Sequence, residues 1–440
     1  MFFLEIAILF LLLLIGARRG GLFLGMVGGV GMVLLVFGLH LKPANPPINV
    51  ILIIASVITA AATMQTAGGM DYMVGLSAKI LRKNPKYITF LAPIVVYIFC
   101  FLSGTGYVAF SLLPVIAEVA RESNIRPERP LSITACASQQ AVIASPISAA
   151  TALMIGIFAP FDIGLIDIMK VCVPATFIGV LIGALYASRM GKDLDKDSEY
   201  LARVANGEVP PVVKSVLAEG AFPKKAKISV LIFLLGALAI VLLGTFPTLG
   251  PTFVVDGKIK TLAMADAIEI IMLSVATIIV LLCKVNVGKI VNESVFKSGM
   301  TGIIVVFGVA WMSDTVVSAN SAFIKSSIMA IVTMHPWMFL FAVCAVDVLI
   351  ASQSVTTAAM MPLGVLLGVP VPLLLAMYPA VNSHFFLPTS TIYVTSVALD
   401  TTKTTKIGKY VLNHSFMKPG FVTMASAIIV GMLIAQVVIK

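Results

Sequence analysis

The sequence predicts an all-α polytopic membrane protein, organised as two inverted repeats of five transmembrane helices, each repeat carrying a re-entrant helical hairpin and a broken helix. Three observations lead there. Of the 440 residues 59% are hydrophobic and only 11% charged, whereas a soluble chain carries about 25% charged residues. The apolar residues gather into runs of membrane-spanning length separated by short basic clusters. Two sets of small polar residues and prolines interrupt those runs at corresponding places in the two halves of the chain. A soluble enzyme is excluded by the first observation. A nucleic-acid partner is not expected, because the net charge of +10 is dispersed among loops rather than concentrated in one patch. Cys100, Cys136, Cys172, Cys283 and Cys344 lie in apolar runs without CxxC spacing, so they read as small packing residues and no metal or other cofactor is implied.

A helix crosses a hydrocarbon core of about 30 Å with roughly 20 apolar residues. Candidate spans are Phe2 to Gly16, Gly20 to Leu39, Ile48 to Ala67, Leu131 to Phe158 and Gly164 to Ala187 in the first half. The second half offers Ile228 to Leu243, Met264 to Cys283, Gly299 to Ser318, Val371 to Ala398 and Gly420 to Ile439. The first run resembles a signal peptide only in position, since Arg18 and Arg19 follow it and no cleavage site does; it reads as a retained span. Met70 to Lys86 sets Leu76, Ile80 and Leu81 opposite Lys79, Arg82 and Lys83, the pattern of a helix lying on a membrane surface. Between the halves the polar stretch from Ser188 to Lys227, with the run GKDLDKDSEYLAR, reads as a solvated linker. The units are therefore a first membrane repeat over 1–190, a cytoplasmic linker over 191–227 and a second repeat over 228–440.

Two further apolar stretches are broken near their centres. Tyr87 to Leu102 and Tyr107 to Ala120 flank Ser103, Gly104, Thr105 and Gly106; Trp337 to Ala351 and Val355 to Gly368 flank Ser352, Gln353 and Ser354. The first pair of arms would measure roughly 24 and 21 Å at helical rise, short for a crossing. Both pairs read as hairpins that enter and leave on one side, and irregular backbone at that depth is tolerated only when buried in protein or lining a polar cavity. Gly104 to Pro114 and Ser352 to Pro362 both span ten residues, and the interrupted spans carry Ser145, Pro146 and Ser148 in one half and Pro388, Thr389, Ser390 and Thr391 in the other. Inverted repeats with paired broken helices are the architecture of secondary transporters, whose substrate sits where the breaks meet.

Charge sets the expected orientation. With ten crossings and both termini outside, 24 of the 30 Lys and Arg fall inside, five outside and Lys170 within a span, from which it can snorkel. Glu5, Glu118, Asp266 and Glu269 lie near span boundaries, where water is expected to reach them. Counting each hairpin arm as a full span would leave the loop charges unmoved, so arm length alone argues for re-entry.

The breaks have definite chemistry. A helix that restarts inside the membrane presents unpaired N–H groups and a partial positive charge of about +0.5, which suits a carboxylate. No Arg lies in any proposed span or arm, so an anion would be held by backbone dipoles and by the hydroxyls of Ser103, Thr105, Ser148, Ser352, Ser354, Thr356, Thr389 and Thr391. Four restarts suit two carboxylates; the competing explanation is close helix packing, which also favours Gly, Ser and Thr. Asp347, Asp314 and His384 are ionisable groups in apolar surroundings, and Asp314 and His384 are candidates for coupling a cation or proton.

The stretches GARRGG, LRKNPKYITFLAPIV, LSGTGYVAFSLLPVIAEVA, IRPERPLS, IASPISAA, FKSGMTGIIVVFGVAWMSDT and TTKIGKYVLNHSF resemble the anaerobic C4-dicarboxylate transporters of the Dcu family over nearly the whole chain. APIVVY, LPVIAEVA, ASPISAA and IMLSVAT are closer to its A type than to its B type. The resemblance implies a carrier of the Gram-negative inner membrane exchanging fumarate, malate or aspartate for succinate in anaerobic growth, on a scaffold shared with a larger ion-transporter superfamily. It implies a substrate site made by the tips at Ser103 to Gly106 and Ser352 to Ser354 and the breaks at Ser145 to Ser148 and Pro388 to Thr391. One departure stands out: relatives continue Leu-Pro-Thr with Tyr-Pro, whereas Ser390 and Thr391 follow here. The alternative on the same scaffold, a cation/proton antiporter, would be expected to carry paired carboxylates at the midplane, and the spans hold isolated ones. An enzyme has no evident agent, since HExxH and GxSxG are absent. The expected partners are C4-dicarboxylates and membrane lipids, with homo-oligomerisation left open.

Overall fold

A computed structural model describes residues 2–19, 22–209, 222–255, 258–320, 335–387, 390–406 and 414–439. The first half opens with α1 (Phe2–Arg19), α2 (Leu22–Met32, continued by a π turn to Gly38) and α3 (Ile48–Thr66), followed by α4 (Gly69–Lys83). Then come α5 (Ile88–Ser103), α6 (Tyr107–Glu122), α7 (Glu128–Ala144), α8 (Ala149–Phe158) and α9 (Leu165–Ala187). The linker contributes α10 (Ser198–Ala205). The second half has α11 (Lys224–Thr245), α12 (Met264–Cys283), the short α13 (Val287–Ile290) and α14 (Ser294–Ala319). It closes with α15 (Met338–Ile350), α16 (Gln353–Leu366), α17 (Val371–Met377), α18 (Thr391–Leu399) and α19 (Met417–Val438). A two-stranded antiparallel ribbon, β1 (Thr252–Val255) with β2 (Lys258–Thr261), caps the loop between α11 and α12.

Among the described residues eight helical stretches are long and apolar enough to cross a membrane. Their burial grades from rim to centre. Glu128–Phe161, which contains the first broken helix, is 78% buried, whereas Lys224–Thr245 is 28% buried and turns Leu231, Leu235 and Leu238 outward. Outward-facing leucines on such a helix fit a lipid environment, where exposing them carries no hydrophobic cost.

Contacts between the halves alternate in a reciprocal way. Helix α2 packs on α14 while α3 packs on α12; α1 also touches α14 while α11 touches α3; and α9 packs lengthwise on α19. The α2–α14 crossing depends on glycine: a Cβ at Gly28 would lie 2.3 Å from the carbonyl carbon of Gly308, so the two backbones are in direct contact.

Several expectations need correction. The first hairpin arm is lengthened by a 3-10 turn, so that Pro85–Ser103 makes 19 residues, enough to cross; its length no longer distinguishes re-entry from crossing. The second tip falls at Ala351 and Ser352, and Gln353 and Ser354 already belong to the first turn of α16. The linker is solvated over most of its described part, with Ser198–Ala205 burying no residue, but it is docked at Asp193 to Asp197. Asp193 pairs with Arg129 at 2.7 Å, Asp197 pairs with Arg126, and Leu194 is buried. Glu5 is buried too, accepting a hydrogen bond from the Nδ2 of Asn320 at the end of α14, because the end of α14 covers it. Glu118 pairs with Arg82 of the amphipathic α4 at 3.1 Å, which fastens that helix to α6.

Candidate functional site: two tips and two breaks around one cavity

Each interruption has a local cause. At the end of α5, Gly104 takes a left-handed φ of +67° and its N–H donates to the Phe101 carbonyl. A Cβ there would stand 2.8 Å from Cγ1 of Ile147, so the first tip presses directly on the first break. That break follows from Pro146, which has no N–H to donate, and from Ser148, whose Oγ accepts from Thr151 N at 3.1 Å and caps α8. Ser145 donates its hydroxyl to the Phe101 carbonyl at 2.7 Å, joining break to tip a second time.

In the second half α15 ends at Ala351, a non-glycine residue at a φ of +52°, whose N–H donates to the Asp347 carbonyl at 2.7 Å. The second broken helix runs α17, then a 3-10 segment from Tyr378 to Phe385 with Asn382 out of helical geometry, then α18 with Ser390 in extended conformation at its start. Asp347 ties tip to break. Its carboxyl accepts from Thr356 Oγ1 at 3.0 Å, from His384 N at 2.7 Å, and faces His384 Nδ1 at 2.9 Å, all buried.

These elements enclose a cavity of about 980 Å³. Ser103, Gly104, Thr105, Gly106, Ser148, Ser352, Gln353, Ser354, Ser390 and Thr391 line it, so both tips and both breaks meet at one place. Ser145, Pro146 and Thr356 stand behind that lining, and Pro388 and Thr389 lie outside the described residues. Helices α3 and α14 supply the opposite wall, through Ile54, Val57, Gly299 and Gly302 among others. No ionisable side chain occurs among the described lining residues.

The donors available there differ from the expected set. Hydroxyls of Ser103 and Ser145 are spent on carbonyls, that of Ser148 on its helix cap and that of Thr356 on Asp347. Those of Ser352, Ser354, Ser390 and Thr391 make no hydrogen bond to a described residue. Of the four helix starts at the cavity, α8 is capped by its own serine, while α6, α16 and α18 have no side-chain cap and keep N–H groups open.

Asp314 and His384 lie elsewhere. Asp314 lines a second cavity of about 410 Å³ with Pro47, Leu153, Ala310, Ala358 and Pro362. A small apolar cluster of Ile54, Leu153, Ile303, Val306, Ala310 and Ala358, distinct from the main core, lines the main cavity through Ile54 and the second through Leu153, Ala310 and Ala358. His384 is shielded behind the second tip by its contact with Asp347. Two residues were not foreseen from the sequence: Gln139 of α7, which lines the main cavity, and Asp347 as the tie behind the second tip. The signal for Gln139 was its amide, beside a second one at Gln140, inside a run otherwise apolar and small.

A bundle of membrane-length helices folded around a central cavity of broken-helix ends defines a polytopic membrane transporter. The chain belongs to the anaerobic C4-dicarboxylate membrane transporter family, DcuA_DcuB, whose model matches residues 1–439. It is 42% identical over 435 residues to the C4-dicarboxylate transporter DcuA of Wolinella succinogenes, covering 99% of both chains. DcuA of Escherichia coli K12 is 39% identical over 433 residues, 98% of each chain, and DcuB of Escherichia coli O157:H7 is 36% identical over 444 residues, 99% of this chain and 98% of that one. The solved structure of MtrF of Neisseria gonorrhoeae, from a class of antimetabolite efflux pumps, shares the fold with a TM-score of 0.51 at 11% identity, over 92% of this chain and 84% of that one.

Proposed function

We propose that this protein is a secondary transporter exchanging C4-dicarboxylates such as fumarate, malate, aspartate and succinate across the bacterial inner membrane, chiefly in anaerobic metabolism. The observation that carries the reading is a cavity free of ionisable side chains among its described lining, onto which uncapped helix starts and free hydroxyls open. Such a lining can neutralise a dianion with oriented dipoles, each contributing about 0.3–2 kcal/mol, without burying a permanent counter-charge that would have to be desolvated in each cycle. A cation/proton antiporter would need a carboxylate in that lining.

On this reading the first repeat occupies 1–190 and the second, inverted, 228–440, with a cytoplasmic linker over 191–227; the reciprocal packing of α2 on α14 and α3 on α12 supports the repeat, and the odd number of spans in each half the inversion. The charge distribution then puts both termini in the periplasm. The main cavity extends toward Val295 at the start of α14 and so toward the cytoplasm, while the Asp314 cavity lies at the outer ends of α3 and α14. The Ile54–Ala358 cluster between them serves as the outer seal, and Asp314 and His384 remain the candidates for coupling. Counterflow of labelled succinate in proteoliposomes tests the function. Accumulation driven by internal fumarate is expected, and none with any C4-dicarboxylate inside would refute it.

A further inference from the structure

Helix starts and hydroxyls bind carboxylates, and they cannot distinguish four-carbon diacids that differ only at the second carbon. We propose that Gln139, held by Gln353, which is itself bonded to Asn382, is the specificity-determining residue that reads an amino or hydroxyl group at that carbon. The inference rests on the transport reading above and refines it.

Gln139 and Gln353 carry the side-chain amides among the described lining residues. Gln353 Nε2 donates to the Gln139 backbone carbonyl at 2.9 Å, to Gln139 Oε1 at 3.1 Å, and to Asn382 Oδ1. One amide at the start of α16 thereby draws together the first broken helix, the second tip and the second broken helix. Gln139 lies against the first tip as well, its Nε2 3.4 Å from where a Cβ on Gly106 would be. It therefore sits between the ends that would hold the two carboxylates, where the second carbon of a four-carbon diacid must pass. Asn382 Nδ2, buried beside it, has no hydrogen-bond partner among the described residues.

Neutral amides suit this task. Their oxygens accept from an ammonium or a hydroxyl, their N–H groups donate to a hydroxyl, and no charge is left behind when succinate or fumarate occupies the site. A carboxylate in the same position would repel both substrate carboxylates. The described lining also lacks any acidic residue to pair with an ammonium, which leaves amide and carbonyl oxygens to do so.

The test is competition against labelled succinate in proteoliposomes, comparing the wild type with Gln139→Met, which keeps the length of the side chain and its backbone carbonyl. Gln353 then retains two of its three acceptors. Relative to succinate, aspartate is expected to weaken about tenfold or more, because its hydrogen bond is to a charged group, and malate about three- to fivefold. Fumarate should follow succinate. If Gln139→Met does not reach the membrane, Gln139→Asn carries the comparison, and aspartate should weaken relative to succinate by more than about twofold against the wild type. A ratio unchanged within about twofold in the variant that inserts overturns the proposal, as does a wild type that takes succinate but excludes both aspartate and malate. A wild type that exchanges none of these diacids instead overturns the transport reading.

Discussion

The two tip-and-break units perform the same geometric task with different chemistry. In the first, glycine turns the chain at Gly104 and every tie is neutral: Ser145 to the Phe101 carbonyl, Ser103 to the Thr105 carbonyl, Ser148 to its own helix. In the second, an alanine is held left-handed at Ala351, and a buried ionisable pair, Asp347 with His384, joins tip to break. The first unit is thus fixed by sterics and ordinary hydrogen bonds. The second depends on one carboxyl group that gathers the Thr356 hydroxyl, the His384 backbone N–H and the His384 ring, which makes it the more fragile half.

Asp347→Ala should separate the halves most sharply. Two buried donors and the His384 ring lose their partner at once, a loss of about 3–5 kcal/mol, while Ser145→Ala in the first unit should cost about 1 kcal/mol. Thermal unfolding in detergent gives both values, and equal shifts would remove the proposed asymmetry. Next in size is Gly104→Ala. The left-handed φ and the approach to Ile147 together should cost about 2 kcal/mol or more, and the larger Gly104→Val should abolish exchange while the protein still inserts. Normal exchange by Gly104→Val would show that the first tip need not press on its break. Ser148→Ala removes a helix cap and should cost about 1 kcal/mol. Smallest, and opposite in sign, is Ala351→Gly, which relieves a left-handed alanine and should stabilise by about 0.5–1 kcal/mol with exchange retained. Destabilisation there would mean that the alanine methyl group has a packing role.

Much of this was legible in the sequence because membrane helices announce themselves by length and apolarity, and breaks by proline, glycine and hydroxyl residues. Met264 to Cys283 was placed at both ends, and both tips and both breaks reach the main cavity. Partnerships were less legible. Nothing local shows that the hydroxyl of Ser148 is taken up by its own helix, that Glu5 meets Asn320 from the far end of another span, or that Arg126 and Arg129 gather Asp197 and Asp193 from the linker. Those pairings join residues far apart in the chain, and hydropathy carries no information about them. Gln139 was not legible because two adjacent amides, at Gln139 and Gln140, do not alter the apolar pattern that identifies the span.

The central claim is that a dicarboxylate is bound by matched sets of helix starts rather than by charged side chains, so both carboxylates must be engaged together. Competition of succinate and butyrate against labelled fumarate at fixed pH examines this directly. Butyrate leaves one set of oriented donors unsatisfied and should compete about 5- to 150-fold more weakly, corresponding to a loss of roughly 1–3 kcal/mol. Butyrate competing as well as succinate would contradict the account.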